Sequence, residues 1–378
     1  MKIPFNKPFI IGKEIDYIKR SVRSGHIAGD GLFTKKCHSF LQKKLNAKKV
    51  LLTTSCTSAL EMAAILCGVG KGDEVILPSY TFVSTANAFY LRGAKPVFVD
   101  IREDTLNIDE ALIRQAVTKH TKVIVPVHYS GVGCDMDVIM KIAGYNKLYV
   151  VEDAAQGLDA TYKGRHLGTI GDFGCLSFHE TKNCICGEGG ALIINNERFN
   201  ERAEIIREKG TNRSKFFRGE VEKYTWIDIG SSYLPSDVLA AFLYAQLENI
   251  GKITQRRKEI YNLYYQELKP LADNGMIKLP VTPANCRSNH HLLHIRLKDR
   301  KIRDNLLNYL KSQGIHAVFH YIPLHLSPIG RSMGYIKGQL PVTESVSDTL
   351  VRLPVYYNLN HSEQLWVIKS IKRFFKKL

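Results

Sequence analysis

Three clusters of residues in this chain have types and spacings that could do chemistry. In Ser177-Phe178-His179-Glu180-Thr181-Lys182, a lysine follows an apolar run and precedes the glycine-rich Gly187-Glu188-Gly189-Gly190. A lysine hemmed in this way is partly desolvated, loses its proton more readily and can form a Schiff base. In Val150-Val151-Glu152-Asp153-Ala154-Ala155-Gln156-Gly157, small residues around a carboxylate leave room for a flat ligand, and the carboxylate could pair with a cationic ring nitrogen. In Thr53-Thr54-Ser55-Cys56-Thr57-Ser58, hydroxyl residues lead into a run with Leu60, Ala63, Ala64 and Cys67 at helical spacing. Free N–H groups and the positive end of such a helix suit a phosphate. Pro78-Ser79-Tyr80-Thr81-Phe82 adds an aromatic ring able to stack on a planar ligand. Each cluster also has a plainer reading: Lys182 as a surface charge, Asp153 and the Ser/Thr run as helix caps, Phe82 as core packing. Taken jointly, they supply what a pyridoxal 5'-phosphate (PLP) enzyme needs: a phosphate anchor, a partner for the pyridine nitrogen and a covalent amine.

These residues sit at the ends of short apolar runs that alternate with amphipathic stretches. The runs are Val50 to Leu52, Glu74 to Pro78, Pro96 to Asp100, Lys122 to Val127, Leu148 to Glu152, Gly174 to Phe178 and Ala191 to Asn195. Runs apolar throughout read as strands covered on both faces, which predicts an α/β fold around a mostly parallel seven-stranded sheet. Ligands in such folds bind beyond the carboxyl ends of the strands, where the clusters fall. Ser236 to Glu248 and Ile253 to Leu268 read as long helices, so the expected division is a large domain over 1–235 and a smaller α+β domain with connecting helices over 236–378. Leu365 to Leu378 reads as a basic amphipathic helix packed on the small domain.

With 378 residues, 53 Lys plus Arg and 36 Asp plus Glu, the net charge is +17, which suits an anionic partner. No helix-turn-helix, zinc-finger or RNA-binding signature accompanies it, and the basic residues are dispersed, so no nucleic-acid partner is expected. The eight cysteines form no C-x-x-C pair and no regular spacing, as reduced buried thiols would. His290-His291-x-x-His294, read as a strand, puts His291 on the opposite face from the other two, so no metal is expected. Without a signal-peptide pattern or 18 consecutive apolar residues, the expected compartment is the cytoplasm.

Ser55-Cys56-Thr57-Ser58-Ala59-Leu60, Pro78-Ser79-Tyr80-Thr81-Phe82, Glu152-Asp153-Ala154-Ala155-Gln156 and Ser177-Phe178-His179-x-x-Lys182 resemble the DegT/DnrJ/EryC1/StrS sugar aminotransferases, over essentially the whole chain. Further stretches, Phe178-His179-Glu180-Thr181-Lys182-Asn183, Glu208-Lys209-Gly210-Thr211-Asn212-Arg213, Gly230-Ser231-Ser232-Tyr233-Leu234 and Phe319 to His325, are similar to members that aminate C4 of dTDP-4-keto-6-deoxy-D-glucose. The resemblance implies a PLP-dependent transferase of fold type I, a homodimer with shared active sites, and L-glutamate as amino donor to a nucleotide sugar. It implies that Lys182 forms the Schiff base, Asp153 faces the pyridine nitrogen, Phe82 stacks on the ring and Gln156 lies near its hydroxyl edge. Thr57, Ser58 and Ser177 would hold the phosphate, and His320 and Tyr321 would lie near the sugar nucleotide. Apart from the resemblance, Lys209, Arg213, Lys215 and Arg218 are candidates for meeting the nucleotide diphosphate, because arginine and lysine pair well with phosphate oxygens; a solvated basic loop is the plainer reading. Many members carry Gly-aromatic-Asn-x-Arg where this chain has Gly230-Ser231-Ser232-Tyr233-Leu234, leaving Ser232 as the remaining donor there. Retention of Lys182 disfavours the same-fold dehydratases, in which histidine replaces it. Lys182→Ala is expected to abolish turnover while leaving PLP bound non-covalently, measured as activity against the visible absorbance of the loaded protein.

Overall fold

The computed structural model describes residues 2–377, so Met1 and Leu378, the outer ends of the two expected domains, lie outside the described residues. The seven apolar runs form one sheet: β1 (Lys49–Thr53), β2 (Glu74–Pro78), β3 (Lys95–Val99), β4 (Thr121–Ile124), β5 (Tyr149–Asp153), β6 (Phe173–Ser177) and β7 (Gly190–Ile194). They lie in the order β1-β7-β6-β5-β4-β2-β3. β7 runs antiparallel to both β1 and β6, and the remaining neighbours are parallel. Successive residues of a strand enter opposite cores. Leu52, Ile76, Ile124 and Val150 join one cluster, whereas Leu51, Val75, Leu77, Val123 and Val151 join the other. Burial on both faces is the physical reason these strands read as unbroken apolar runs. β4 stops before Val127, where the apolar run ends, because Pro126 has no N–H for the ladder; only an isolated bridge from Val127 to Asp153 continues it.

The register of the sheet positions the clusters. Thr53 of β1 and Ser177 of β6 both lie opposite Gly190 of β7, and Asp153 of β5 lies opposite Cys175 of β6. Four chain segments singled out in the sequence therefore meet along one edge. The helix Cys56–Leu66 starts there, with the Ser55 hydroxyl accepting from the Ser58 N–H as its cap. The closeness has a steric requirement: a Cβ on Gly190 would lie 2.3 Å from the Ser55 carbonyl carbon.

Beyond the sheet, the helix Asp237–Glu248 places Ala240, Ala241, Leu243, Ala245 and Leu247 in the first core, with the helices Glu14–Arg23 and Leu32–Leu45. Its Asp237 carboxylate accepts from the N–H groups of Phe33 and Thr34. This helix, expected to open the small domain after residue 235, packs in the first core, and the separate third core takes Ile260, Tyr264 and Leu268 from the helix Ile250–Asp273 and Ile3 from the amino-terminal segment. That core is completed by β8 (Leu293–Arg296) paired antiparallel with β9 (Leu350–Leu353) and by the helices Arg300–Ser312 and His361–Phe375. The last of these starts at a capping box of Asn360 and Glu363 and buries Val367, Ile368, Ile371 and Phe375.

Among the polar contacts between the sheet and the carboxyl-terminal part, two lie just past strand ends. Asp100, just past β3, accepts from the Val342 and Thr343 N–H groups at the start of the helix Pro341–Thr349. Ser79, just past β2, meets His325 at 2.7 Å, and His325 meets Glu344 at 3.1 Å. This has the connectivity of a hydrolase triad. Ser79 and His325 are fully buried, however, and Ser79 Oγ also accepts from the His325 N–H, so the group is a structural tie. Gly190→Ala is expected to destabilise the fold by about 1–3 kcal/mol, the usual magnitude for overpacking, measured by urea denaturation; an unchanged midpoint would refute the close approach.

Candidate active site

A cavity of about 450 Å³ opens at the carboxyl ends of β1, β5 and β6 and is closed from above by the small domain. Lys182 lies on its wall in the loop after β6. Burial pushes the Lys182 ammonium below the ordinary lysine range; the Asp153 carboxylate opposes this, and Arg352 adds to it. More of the lysine is therefore present as the free amine, the form that attacks a carbonyl or accepts a proton.

Asp153 ends β5 and is 5% exposed. Its Oδ2 accepts from the Thr85 hydroxyl at 2.7 Å and its Oδ1 from the Ala155 N–H at 3.1 Å. With Thr85 donating there, the Thr81 hydroxyl, 2.8 Å from Thr85, supplies the next hydrogen bond of the chain. Glu152, one residue earlier, points the other way into the protein. It accepts from the Gly168, Ile170 and Gly171 N–H groups at 2.6–2.8 Å and from His128 Nε2 at 2.9 Å. The Cys134 N–H donates to His128 Nδ1, which assigns the ring proton to Nε2. A fully buried charge is tolerated only with such complete satisfaction.

The remaining sequence-predicted residues divide. Thr57, Phe82, Gln156, Ser177, His320 and Tyr321 line the cavity with Lys182 and Asp153. Thr57 donates to Ser84 at 2.8 Å. The first intrahelical bond runs from the Ala59 N–H to Ser55, so the Cys56 and Thr57 N–H groups precede the helical ladder. Ser58 lies behind them, its hydroxyl 2.8 Å from Thr54 and 3.0 Å from Ser55. Phe82 is 58% exposed and its ring is 6.5 Å from that of Tyr321; an exposed ring on a cavity wall is free to be covered by a planar ligand. Gln156 accepts from the Ser130 N–H at 2.7 Å and donates to the Tyr321 hydroxyl at 3.2 Å. His320 is placed by the Tyr80 hydroxyl on its carbonyl and by Tyr129, 3.0 Å from Nδ1.

Ser58, expected to hold the phosphate, is thus turned to Thr54 and Ser55 and does not line the cavity, and two further expected residues do not reach it. Ser232 is exposed, in an isolated bridge with Glu208. Arg213 lines a separate depression with Asp30, Arg207 and Glu208, its guanidinium 4.7 Å from the Phe217 ring centroid. The neighbouring Lys215 and Arg218 are held by Glu201, Glu204 and Glu220.

Other cavity residues lacked a sequence signal. Thr85 follows Phe82 by about one helical turn, a spacing that could have been noticed. Arg257, His291 and Arg352 come from the small domain and its connecting helix. β8 begins only at Leu293, so His291 lies ahead of the strand expected to carry all three histidines. It is buried, with Nδ1 2.9 Å from Asn183 Oδ1, beside Lys182 in the chain. Among the described residues no group of three or more His, Cys, Asp or Glu is arranged to hold a metal ion.

Thr85→Val keeps the shape and removes the hydroxyl from Asp153. It is expected to cost about 1.5–3 kcal/mol, as for hydrogen bonds to charged groups, read by denaturation of the ligand-free protein; loss of less than about 0.5 kcal/mol would refute the assigned contact.

The geometry can be set beside known proteins. An uncharacterized protein of Methanocaldococcus jannaschii is 36% identical over 378 residues, covering 98% of this chain and 97% of the relative. A UDP-4-amino-4-deoxy-L-arabinose–oxoglutarate aminotransferase of Shewanella sediminis is 33% identical over 382 residues, covering 98% and 97%. Among solved structures, a protein assigned as a sugar aminotransferase of Streptococcus pneumoniae, in its PLP-form, matches with a TM-score of 0.92 at 28% identity, over 100% of this chain and 99% of that chain. The same protein has been solved in a PMP-form, with the same TM-score of 0.92. The family model described as DegT/DnrJ/EryC1/StrS aminotransferase matches residues 8–372. A strand-end lysine and carboxylate in one cavity, this match and these relatives agree, and the chain belongs to the DegT/DnrJ/EryC1/StrS aminotransferase family.

Proposed function

We propose that the cavity binds PLP and that the protein transfers the amino group of L-glutamate to C4 of dTDP-4-keto-6-deoxy-D-glucose, giving dTDP-4-amino-4,6-dideoxy-D-galactose and 2-oxoglutarate. The observation that carries the PLP reading is a desolvated Lys182 and a hydrogen-bonded Asp153 on the wall of one cavity, beside the N-terminus of the helix Cys56–Leu66. The donor set fits the group. Thr57, Ser177 and the first N–H groups of the helix Cys56–Leu66 would hold its phosphate, and Asp153 would hold the proton on its ring nitrogen. Phe82 would cover one face of the ring, and Gln156 would meet its hydroxyl edge. When bound, PLP supplies an electron sink and a carrier for the amino group.

Lys182 would hold the cofactor covalently and, once released by the donor amine, act as the base at the donor's α-carbon and the acid at the sugar carbon. Burial helps the first role, because a lowered pKa leaves more free amine at a given pH. His320 and Tyr321, which line the same cavity, would meet the sugar. Ser232 and Arg213 lie off this cavity, so their expected roles require a second copy of the chain, and the reading therefore carries a homodimer with it. The C4 position and the dTDP carrier rest on the stretches from Phe178 to Asn183, Glu208 to Arg213 and Phe319 to His325. Among the described residues no helix is long and apolar enough to cross a membrane.

Incubation with PLP, L-glutamate and dTDP-4-keto-6-deoxy-D-glucose is expected to yield 2-oxoglutarate and the 4-amino sugar in equal amounts, with the configuration at C4 read by NMR. A 3-amino product or an inert mixture would overturn the substrate assignment. Borohydride added to the PLP-loaded protein at neutral pH is expected to fix the cofactor on Lys182, shown by peptide mass analysis; label on another residue would overturn the cofactor assignment.

A further inference from the structure

One cation on the cavity wall has no part in the chemistry above. Arg352 stands in β9, opposite His294 of β8, and its backbone exchanges hydrogen bonds with Val318 at 2.7 and 3.2 Å. Strand pairing on both sides fixes its Cα. Its guanidinium lies 4.6 Å from the ring centroid of Phe5, in the amino-terminal segment that also ties Asn6 to the Glu180 carbonyl at 3.1 Å. Stacking on that ring orients the guanidinium plane while leaving its donors unused.

The other arginines nearby are engaged. Arg257 donates to the carbonyls of His290, His291 and Val355, and Arg296 to the Glu103 carbonyl with that residue's carboxylate 3.4 Å away. Arg352 makes no side-chain hydrogen bond and no ion pair among the described residues, and its Nε is buried without a partner. A guanidinium carries five donors in a planar fork, and withdrawing the Nε–H of Arg352 from water unpaired is unfavourable. A cavity built around such a group suits a planar or tetrahedral anion that accepts two hydrogen bonds.

The proposed reaction brings two such anions, the carboxylates of glutamate and the diphosphate of the nucleotide. Their positions relative to Lys182 differ. The α-carboxylate is bonded directly to the carbon at which Lys182 would act, whereas the diphosphate is joined through C1 on the far side of the sugar ring from C4. Arg352 shares the wall with Lys182 and is near enough to act on it electrostatically. We propose that Arg352 is a substrate-binding residue that pairs with a carboxylate of the amino donor and so selects a carboxylic amino acid for the first half of the reaction. This inference rests on the transamination reading.

The test uses the PLP-loaded protein in single half-reactions followed by cofactor absorbance, with Arg352→Gln and Arg352→Lys. Arg352→Gln is expected to raise the glutamate concentration at half-saturation about tenfold or more, the loss of one charge-assisted pair, and to leave the KM for the sugar nucleotide within about twofold. Arg352→Lys, which keeps the charge and lacks the planar fork, is expected to fall between and serves as the variant if Arg352→Gln does not fold. In parallel, calorimetry is expected to show that glutarate, a dicarboxylate without an amine, binds the wild-type protein and binds Arg352→Gln more weakly. Unchanged glutamate saturation, unchanged glutarate binding, or a rise confined to the sugar-nucleotide KM would overturn the inference. Wild-type protein that ignores glutamate would instead overturn the transamination reading, and the glutarate titration would still decide whether Arg352 binds carboxylates.

Discussion

Two adjacent carboxylates at the end of one strand face opposite ways, and the arrangement of the site depends on that alternation. Glu152 turns into the protein, where three backbone N–H groups and His128 satisfy it completely. Asp153 therefore turns to the cavity, since successive side chains of a strand point to opposite faces. The inward carboxylate anchors the loop Gly168–Gly171 against β5, just before β6, which runs on to Ser177 and Lys182. One buried charge thus organises the backbone that presents the other. A fully satisfied buried charge lets a neighbouring carboxylate remain where a ligand can use it.

Around this edge, close packing of backbone does as much as side chains. Gly190 lies against the Ser55 backbone, so β7 can pass beside the start of the helix Cys56–Leu66. Insertion of this reversed strand between β1 and β6 brings Thr53 and Ser177 to either side of Gly190. The cradle of hydroxyls and N–H groups is thus a product of register, with Ser55 committed to capping and Thr57 left facing the cavity. The small domain then closes the opposite side. The Asp100 cap and the Ser79–His325–Glu344 tie hold it onto the sheet, which keeps His320, Tyr321, His291 and Arg352 over the strand ends.

Local pattern carried much of this. The seven strands were legible because burial on both faces leaves unbroken apolar runs, and Lys182, Asp153, Thr57 and Phe82 were legible because they follow those runs directly. The end of β4 was less so: Pro126 interrupts a run that is apolar through Val127. The helix Asp237–Glu248 was recognised as a helix, but nothing in its spacing told which core its apolar face would join. The face is the same whether it meets the large or the small domain.

What the chain alone determined is therefore the set of elements and the residues at their ends, because hydrophobic period and the adjacency of a strand to its following loop are properties of neighbouring residues. What only the tertiary structure decided is the company those residues keep. His291 and Arg352 stand more than a hundred positions from Lys182, and Phe5 farther still on the other side, yet they share its cavity. Ser232 and Arg213, nearer in number, do not reach it. Contacts of that range depend on how a sheet, a second core and an amino-terminal segment pack together, and packing leaves no periodic mark on the sequence.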